Sequence, residues 1–169
     1  MFEPVFQHLR AKLGLVDAIL PELTCRKLSP KLSLVTTSYP KRLRELLASL
    51  SPELKPDGFV FVAVTQKSHD LSKLDPIAWF HEDEGTSAII PEENAEEFNF
   101  ETVFRCIKLG VDSKLNDVGL TAAVSNALAN AGISANVVAA LRHDYVFVPE
   151  SHAEQAVEVL KELSKQSDQ

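Results

Sequence analysis

Asn116-Asp117-Val118-Gly119-Leu120 is the stretch on which the fold of this chain turns. An apolar run from Phe104 to Val111 leads into a short polar loop that ends in these five residues. A helical pattern opens directly after them, with a glycine in its first turn, and stops at Gly132. Leu120, Val124, Leu128 and Ala131 recur at the spacing of one helix face. A second apolar run follows at about 135–142, then a tight turn, then a third run over 144–148 that ends at Pro149. An amphipathic stretch closes the pattern, with Ala153, Ala156, Val157, Leu160 and Leu163 on one stripe. The order is strand, helix, strand, strand, helix.

The same order recurs upstream. Ala88-Ile89-Ile90-Pro91-Glu92 and Val146-Phe147-Val148-Pro149-Glu150 both end an apolar run in Pro-Glu, followed after two intervening residues by Ala-Glu. Pro suits a first helical turn and Glu favours its positive end, so each pair ends a strand and starts a helix. Ser151 and Glu154 also have capping-box spacing. Before Pro91 the sequence predicts a strand at Leu32–Thr37, a helix at about 40–50 and a strand at Phe59–Thr65. A hairpin around Glu82–Gly85 follows. Leu43, Leu46, Leu47 and Leu50 share one helical stripe. Such an internal repeat sets the domain plan. Residues 1–27, with Phe6, Leu9, Leu13 and Val16 at helical spacing, are expected as an N-terminal helical extension. Residues 28–99 form the first unit and 100–169 the second. Gln66–Asp75 reads as a polar loop, and Asn94–Glu101 as a short helix and link.

The runs Phe59–Val64 and Val137–Leu141 are almost continuously apolar, which predicts strands covered on both faces. Trp79-Phe80 is expected to pack against the core or a partner sheet.

Net charge is -7 and unevenly spread. Residues 1–57 hold nine Lys/Arg against six Asp/Glu, whereas residues 58–104 hold two against ten. An acidic surface repels phosphate backbones, which argues against a nucleic-acid partner. The apolar residues near the N-terminus are broken by His8, Arg10 and Lys12, so no signal peptide is expected, and no apolar run is long enough for a membrane span. Cys25 and Cys106 stand alone and read as reduced buried thiols of a cytoplasmic protein.

Candidate chemistry is sparse. His143-Asp144 reads as a two-residue hairpin turn rather than an acid–base pair. His81–Gly85 lacks the ligand alternation of a calcium loop, and no metal-ligand spacing joins the histidines. Neither nucleophile motifs nor phosphate-binding glycine loops occur. No catalytic residue, metal site or cofactor is expected.

Asp117-Val118-Gly119-Leu120-Thr121-Ala122-Ala123-Val124, with Ala131-Gly132-Ile133 behind it, resembles the first loop, helix and second strand of ACT domains. The spacing from acid to glycine is one residue shorter than the usual pattern if Asp117 is the acid. The resemblance covers residues 102–164 directly and the first half through the repeat. It implies an α+β, ferredoxin-like (βαββαβ) pair of ACT domains in tandem, with antiparallel sheets and helices on one face. It also implies a non-catalytic regulatory or sensor protein that binds an amino acid or similar small ligand at an ACT–ACT interface, as a homodimer through its ACT domains. The alternative is a protein-interaction or assembly module without a ligand.

The expected ligand residues are Asn116, Asp117, Val118, Gly119 and Leu120, with Asn136 and Val137 across the interface. Gly119 would let a ligand approach the backbone. Free N–H groups of the first helical turn would take a carboxylate. Asn116 or Asp117 would cap the helix or receive an ammonium group. The corresponding first-half loop, Thr36-Thr37-Ser38-Tyr39-Pro40, has no glycine and starts its helix with a residue that lacks a donor. Thr36, Thr37 and Ser38 are therefore expected only as supporting hydroxyl donors on the far wall of an asymmetric site.

Overall fold

A computed structural model describes residues 39–64 and 70–166, all within the unit Ser38–Gln169. Thr36, Thr37, Ser38, Cys25, His69, the strand expected at Leu32–Thr37 and the helical extension expected over residues 1–27 lie outside the described residues.

The element order is α1 (Lys41–Ala48), β1 (Glu53–Val64), α2 (Leu71–Leu74), β2 (Ala78–Glu82) and β3 (Gly85–Pro91). A 3-10 turn follows at Glu92–Asn94, then β4 (Phe104–Lys108), α3 (Leu120–Asn130), β5 (Asn136–Ala139) and β6 (Asp144–Pro149). A second 3-10 turn at Glu150–His152 leads into α4 (Ala153–Gln166). The six strands make one antiparallel sheet in the order β2-β3-β1-β4-β6-β5. This is the α+β arrangement of ferredoxin-like ACT units expected from the sequence.

The halves meet at the β1–β4 pair. Phe59 lies opposite Phe104, and each also faces the proline of its own half: Phe59 opposite Pro91, Phe104 opposite Pro149. The two Pro-Glu strand ends are thus related across the central pair. The symmetric strand order makes β1-α2-β2-β3 the counterpart of β4-α3-β5-β6. Thr36–Pro40 is therefore not the first-half equivalent of the loop before α3. With 11 residues, α3 answers to the 4-residue α2 and not to the helix at 40–50 that the sequence paired with it. That short helix sits in the stretch read as loop. Asp70 caps it by accepting the Ser72 N–H at 3.0 Å. The helix expected within Asn94–Glu101 is absent; a single 3-10 turn follows Pro91 instead. Beyond Pro149 the capping-box pairing is replaced by another 3-10 turn, with the Ser151 hydroxyl 3.0 Å from His152 Nδ1.

One core lies between α1, α3, α4 and the sheet. Leu46, Leu47, Ile107, Leu109, Val124, Leu128 and Leu160 are buried there. The helical stripes expected from the sequence supply it, since residues three and four apart share a face. α1 therefore packs into the core of the second half, against α3 and α4. Val60, Val62, Val64, Ala88 and Ile90 form a second cluster. On the opposite face, Phe59, Ile89, Cys106 and Phe147 are buried together. The Phe59 and Phe147 rings meet edge to face at 5.7 Å.

Within the single chain, three stretches expected to be covered, by the core or by a partner sheet, are open on one face. β1 alternates over its last residues, with Phe61 and Ala63 exposed between Val60, Val62 and Val64. β5 is an edge strand without a buried residue, and Leu141 beyond it is exposed. Trp79 and Phe80 on the other edge strand are 50% and 48% exposed. Continuous apolarity reports hydrophobic content, and it does not report which strand becomes an edge.

Candidate functional site

The loop from β4 to α3 is held from both ends. Gly110, at φ +65°, lies so close to the first half that a Cβ there would be 2.3 Å from the Ser51 carbonyl oxygen. The Ser51 N–H donates to the Leu109 carbonyl at 3.0 Å in the same contact. At the other end Gly119 has φ +102°, a left-handed geometry that only glycine adopts without strain. A Cβ at Gly119 would sit 2.7 Å from Leu43 Cδ2 on α1. The direction a side chain would take at Gly119 is therefore filled by a buried leucine.

Asp117 is engaged as well. Arg42 of α1 donates from Nε to Oδ1 at 3.1 Å and from Nη2 to Oδ2 at 2.8 Å, and the Lys114 backbone N–H donates to Oδ2 at 2.9 Å. The Arg42 hydrogen bond, followed by the Lys114 N–H, holds the Asp117 carboxyl down at about 2. The expectation that Asn116 or Asp117 caps α3 is overturned. Gly119 is the N-cap residue and no side chain caps the helix. The first-turn N–H groups of α3 are left for solvent or a ligand.

Beside this loop is a cavity of about 60 Å³. The loop contributes Ser113, Lys114, Leu115 and Asp117, and the start of α3 contributes Leu120 and Thr121. The β5–β6 hairpin contributes Ala139, Ala140 and Asp144. The cavity is partly open to solvent and is lined by both polar and apolar groups.

Asp144 was expected as part of an exposed two-residue turn. The structure instead makes 140–143 the turn, closed by Ala140 N–H donating to the His143 carbonyl at 3.2 Å, and places Asp144 as the first residue of β6. It is only 7% exposed. Among the described residues its side chain has one hydrogen bond, accepted from the Ser113 hydroxyl at 3.5 Å, the outer limit of such a bond. Burial pushes its carboxyl above the usual range, against smaller lowering effects of Ser113 and His143.

Of the sequence-predicted residues, Asp117 and Leu120 border the cavity, Leu120 with its side chain in the core. Asn116 and Val118 are exposed, Val118 at 83%. Asn136 is exposed on β5, and Val137 packs against the main core. Neither lines the cavity. Ser113, Lys114, Thr121 and Asp144 were missed. An acid opening the otherwise apolar run Tyr145–Val148 was the one signal available for Asp144.

Elsewhere, an open depression of about 520 Å³ lies between α2 and the first 3-10 turn, with Asp70, Glu93 and Glu96 along it. Cys106 is buried, and burial raises its thiol to about 11. Among the described residues no cluster of three His, Cys, Asp or Glu could hold a metal ion, and no helix is long and apolar enough to cross a membrane.

A tandem antiparallel sheet with helices on one face and a glycine-bearing strand–loop–helix defines the class, and sequence comparison agrees. ACT-domain family models match residues 40–107 and 101–162, and the chain belongs to the ACT-domain family. The two matches overlap on β4, the strand at the joint. A Vibrio cholerae protein of unknown function, VC0802, described as a possible transport protein, is 41% identical. Its match covers 73% of this chain and 97% of its own, with a TM-score of 0.66. Atu0741 of Agrobacterium tumefaciens is 13% identical, with 68% of this chain and 89% of its own covered and a TM-score of 0.59, a likeness of fold. No curated protein matches the chain.

Proposed function

We propose that this protein is a non-catalytic regulatory or sensor module that binds an amino acid or similar small ligand beside the loop 113–119. In this reading residues 28–99 and 100–169 are its two ACT units, residues 1–27 an extension, and the cytoplasm its compartment. The observation that carries the proposal is the cavity bordered by that loop and by the uncapped start of α3. Uncapped first-turn N–H groups with the helix dipole behind them suit a carboxylate. The cavity is partly open to solvent, so the remainder of a ligand would project outward. A second copy of the chain would complete the enclosure, as a homodimer. Thermal-shift measurements with each of the twenty amino acids test the reading, with light scattering reporting the dimer. Stabilisation by one or a few related amino acids is the expected result. A folded sample that responds to none would reject it.

The assembly reading has one specific observation in its favour. Gly119 is packed against Leu43 and Asp117 is bound by Arg42, so the glycine and the acid of the loop already serve contacts within the chain. If no amino acid binds while the dimer persists, assembly is the better account.

A further inference from the structure

We propose that Asp144 is the residue that receives the ammonium group of the ligand. This rests on the ligand reading above, and it moves the role away from the loop residues to which the sequence pointed. Asp117 is the nearest rival, but both its oxygens are taken by Arg42 and one also by the Lys114 N–H. Asp144 differs on each count. It is 7% exposed, it borders the cavity, and no described ion pair includes it. Its contact with Ser113 is at the outer limit of a hydrogen bond.

Lys114 borders the same cavity and His143 is adjacent in the chain, yet neither forms an ion pair with Asp144. A buried carboxylate without a bonded cation or a full set of donors is costly, and the cost is removed when a charged donor arrives. The same cavity is bordered by Leu120 and Thr121 of the first turn of α3, whose N–H groups favour an anion. The cavity therefore presents a place for a positive group and a place for a negative one. The matching chemistry is the head of an α-amino acid, with the ammonium on Asp144 and the carboxylate at the start of α3. An inorganic monovalent cation would satisfy Asp144 alone and leave the helix end unused.

The test uses the full chain and Asp144→Asn, an isosteric change that removes the charge. Calorimetric titration is carried out with each of the twenty amino acids, with sodium and potassium chloride alone, and with the 2-hydroxy analogue of any amino acid that binds. The wild type is expected to bind an amino acid and to reject its 2-hydroxy analogue. Asp144→Asn is expected to bind about tenfold to a hundredfold more weakly, the range for loss of a charged hydrogen-bond partner. The carboxyl carbon resonance of Asp144 in the wild type should move on addition of that amino acid, a readout that does not depend on the variant folding. Equal binding by Asp144→Asn, equal binding of the hydroxy analogue, or an unmoved resonance would overturn the assignment while the ligand reading stands. A response to salt alone that Asp144→Asn abolishes would make the site an inorganic cation site. No amino-acid binding by the wild type would overturn both proposals.

Discussion

Arg42 and Asp117, seventy-five positions apart in sequence, form a two-pronged ion pair at 3.1 and 2.8 Å that ties α1 to the loop before α3. The planar guanidinium matches both carboxylate oxygens, which a lysine cannot do. Asp117 also holds the loop's turn, because its Oδ2 accepts from the Lys114 N–H.

Its pH signature has a definite sign. Asp117 is depressed to about 2 in the folded protein from an ordinary value near 3.8. Its contribution to stability is therefore fully present above the ordinary value and is lost as pH falls toward 2. Asp117→Asn should be less stable than wild type at pH 6, and the gap should close as pH drops from 4 to about 2. Urea melts of both proteins across that window measure it. Arg42 is half exposed, so the effect should shrink with added salt.

Gly119→Ala should destabilise the fold itself, by about 1–3 kcal/mol, because it places a Cβ against Leu43 in a left-handed backbone. Leu43→Ala makes room for that Cβ, so the double variant should cost less than the two single changes together. Gly110→Ala should cost more than Gly119→Ala, since its new atom meets a backbone oxygen that cannot rotate away. Denaturant midpoints of the four variants decide the order, and equal costs at the two glycines would contradict the packing described here.

Asp144 should behave in the opposite sense to Asp117. Its folded-state carboxyl is raised by burial, so its ionisation destabilises the fold as pH climbs through that raised value. The charged or titratable neighbours facing it are His143, and Lys114 and Asp117 across the cavity. Without added ligand, Asp144→Asn should melt above wild type at pH 7, and the difference should vanish near pH 3. A lower melting temperature for Asp144→Asn at pH 7 would show that the carboxylate is satisfied.

Cys106 is buried, with its thiol raised to about 11. In a Cys25→Ser background the remaining thiol should react with a disulfide reagent at a rate set by opening of the fold, and promptly in denaturant. Fast reaction without denaturant would place Cys106 at an accessible surface.

Much of the architecture was legible because it is written in local spacing. Leu43, Leu46, Leu47 and Leu50 on α1, and Ala153 to Leu163 on α4, declare their buried faces at intervals of three and four residues. Pro91 and Pro149 mark equivalent strand ends, and Asp83-Glu84 forms the tip of the hairpin expected around Glu82–Gly85. The candidate site was legible only as a segment. Asn116 to Leu120 was located correctly as a strand–loop–helix junction, yet the partners that give each residue its role come from α1 and β6.

The sequence by itself determined α1, α3 and α4, the Glu82–Gly85 hairpin, the matching strand ends at Pro91 and Pro149 and the ACT class, because each rests on contacts between near neighbours in the chain or on a short pattern of residue types. Only the tertiary structure decided that β1 and β4 join the halves, that Leu43 fills the space beside Gly119, that Arg42 neutralises Asp117, and that Asp144 is buried. Those facts depend on strand register and on helix docking across tens of residues, where no periodicity in the chain records which side chain will arrive.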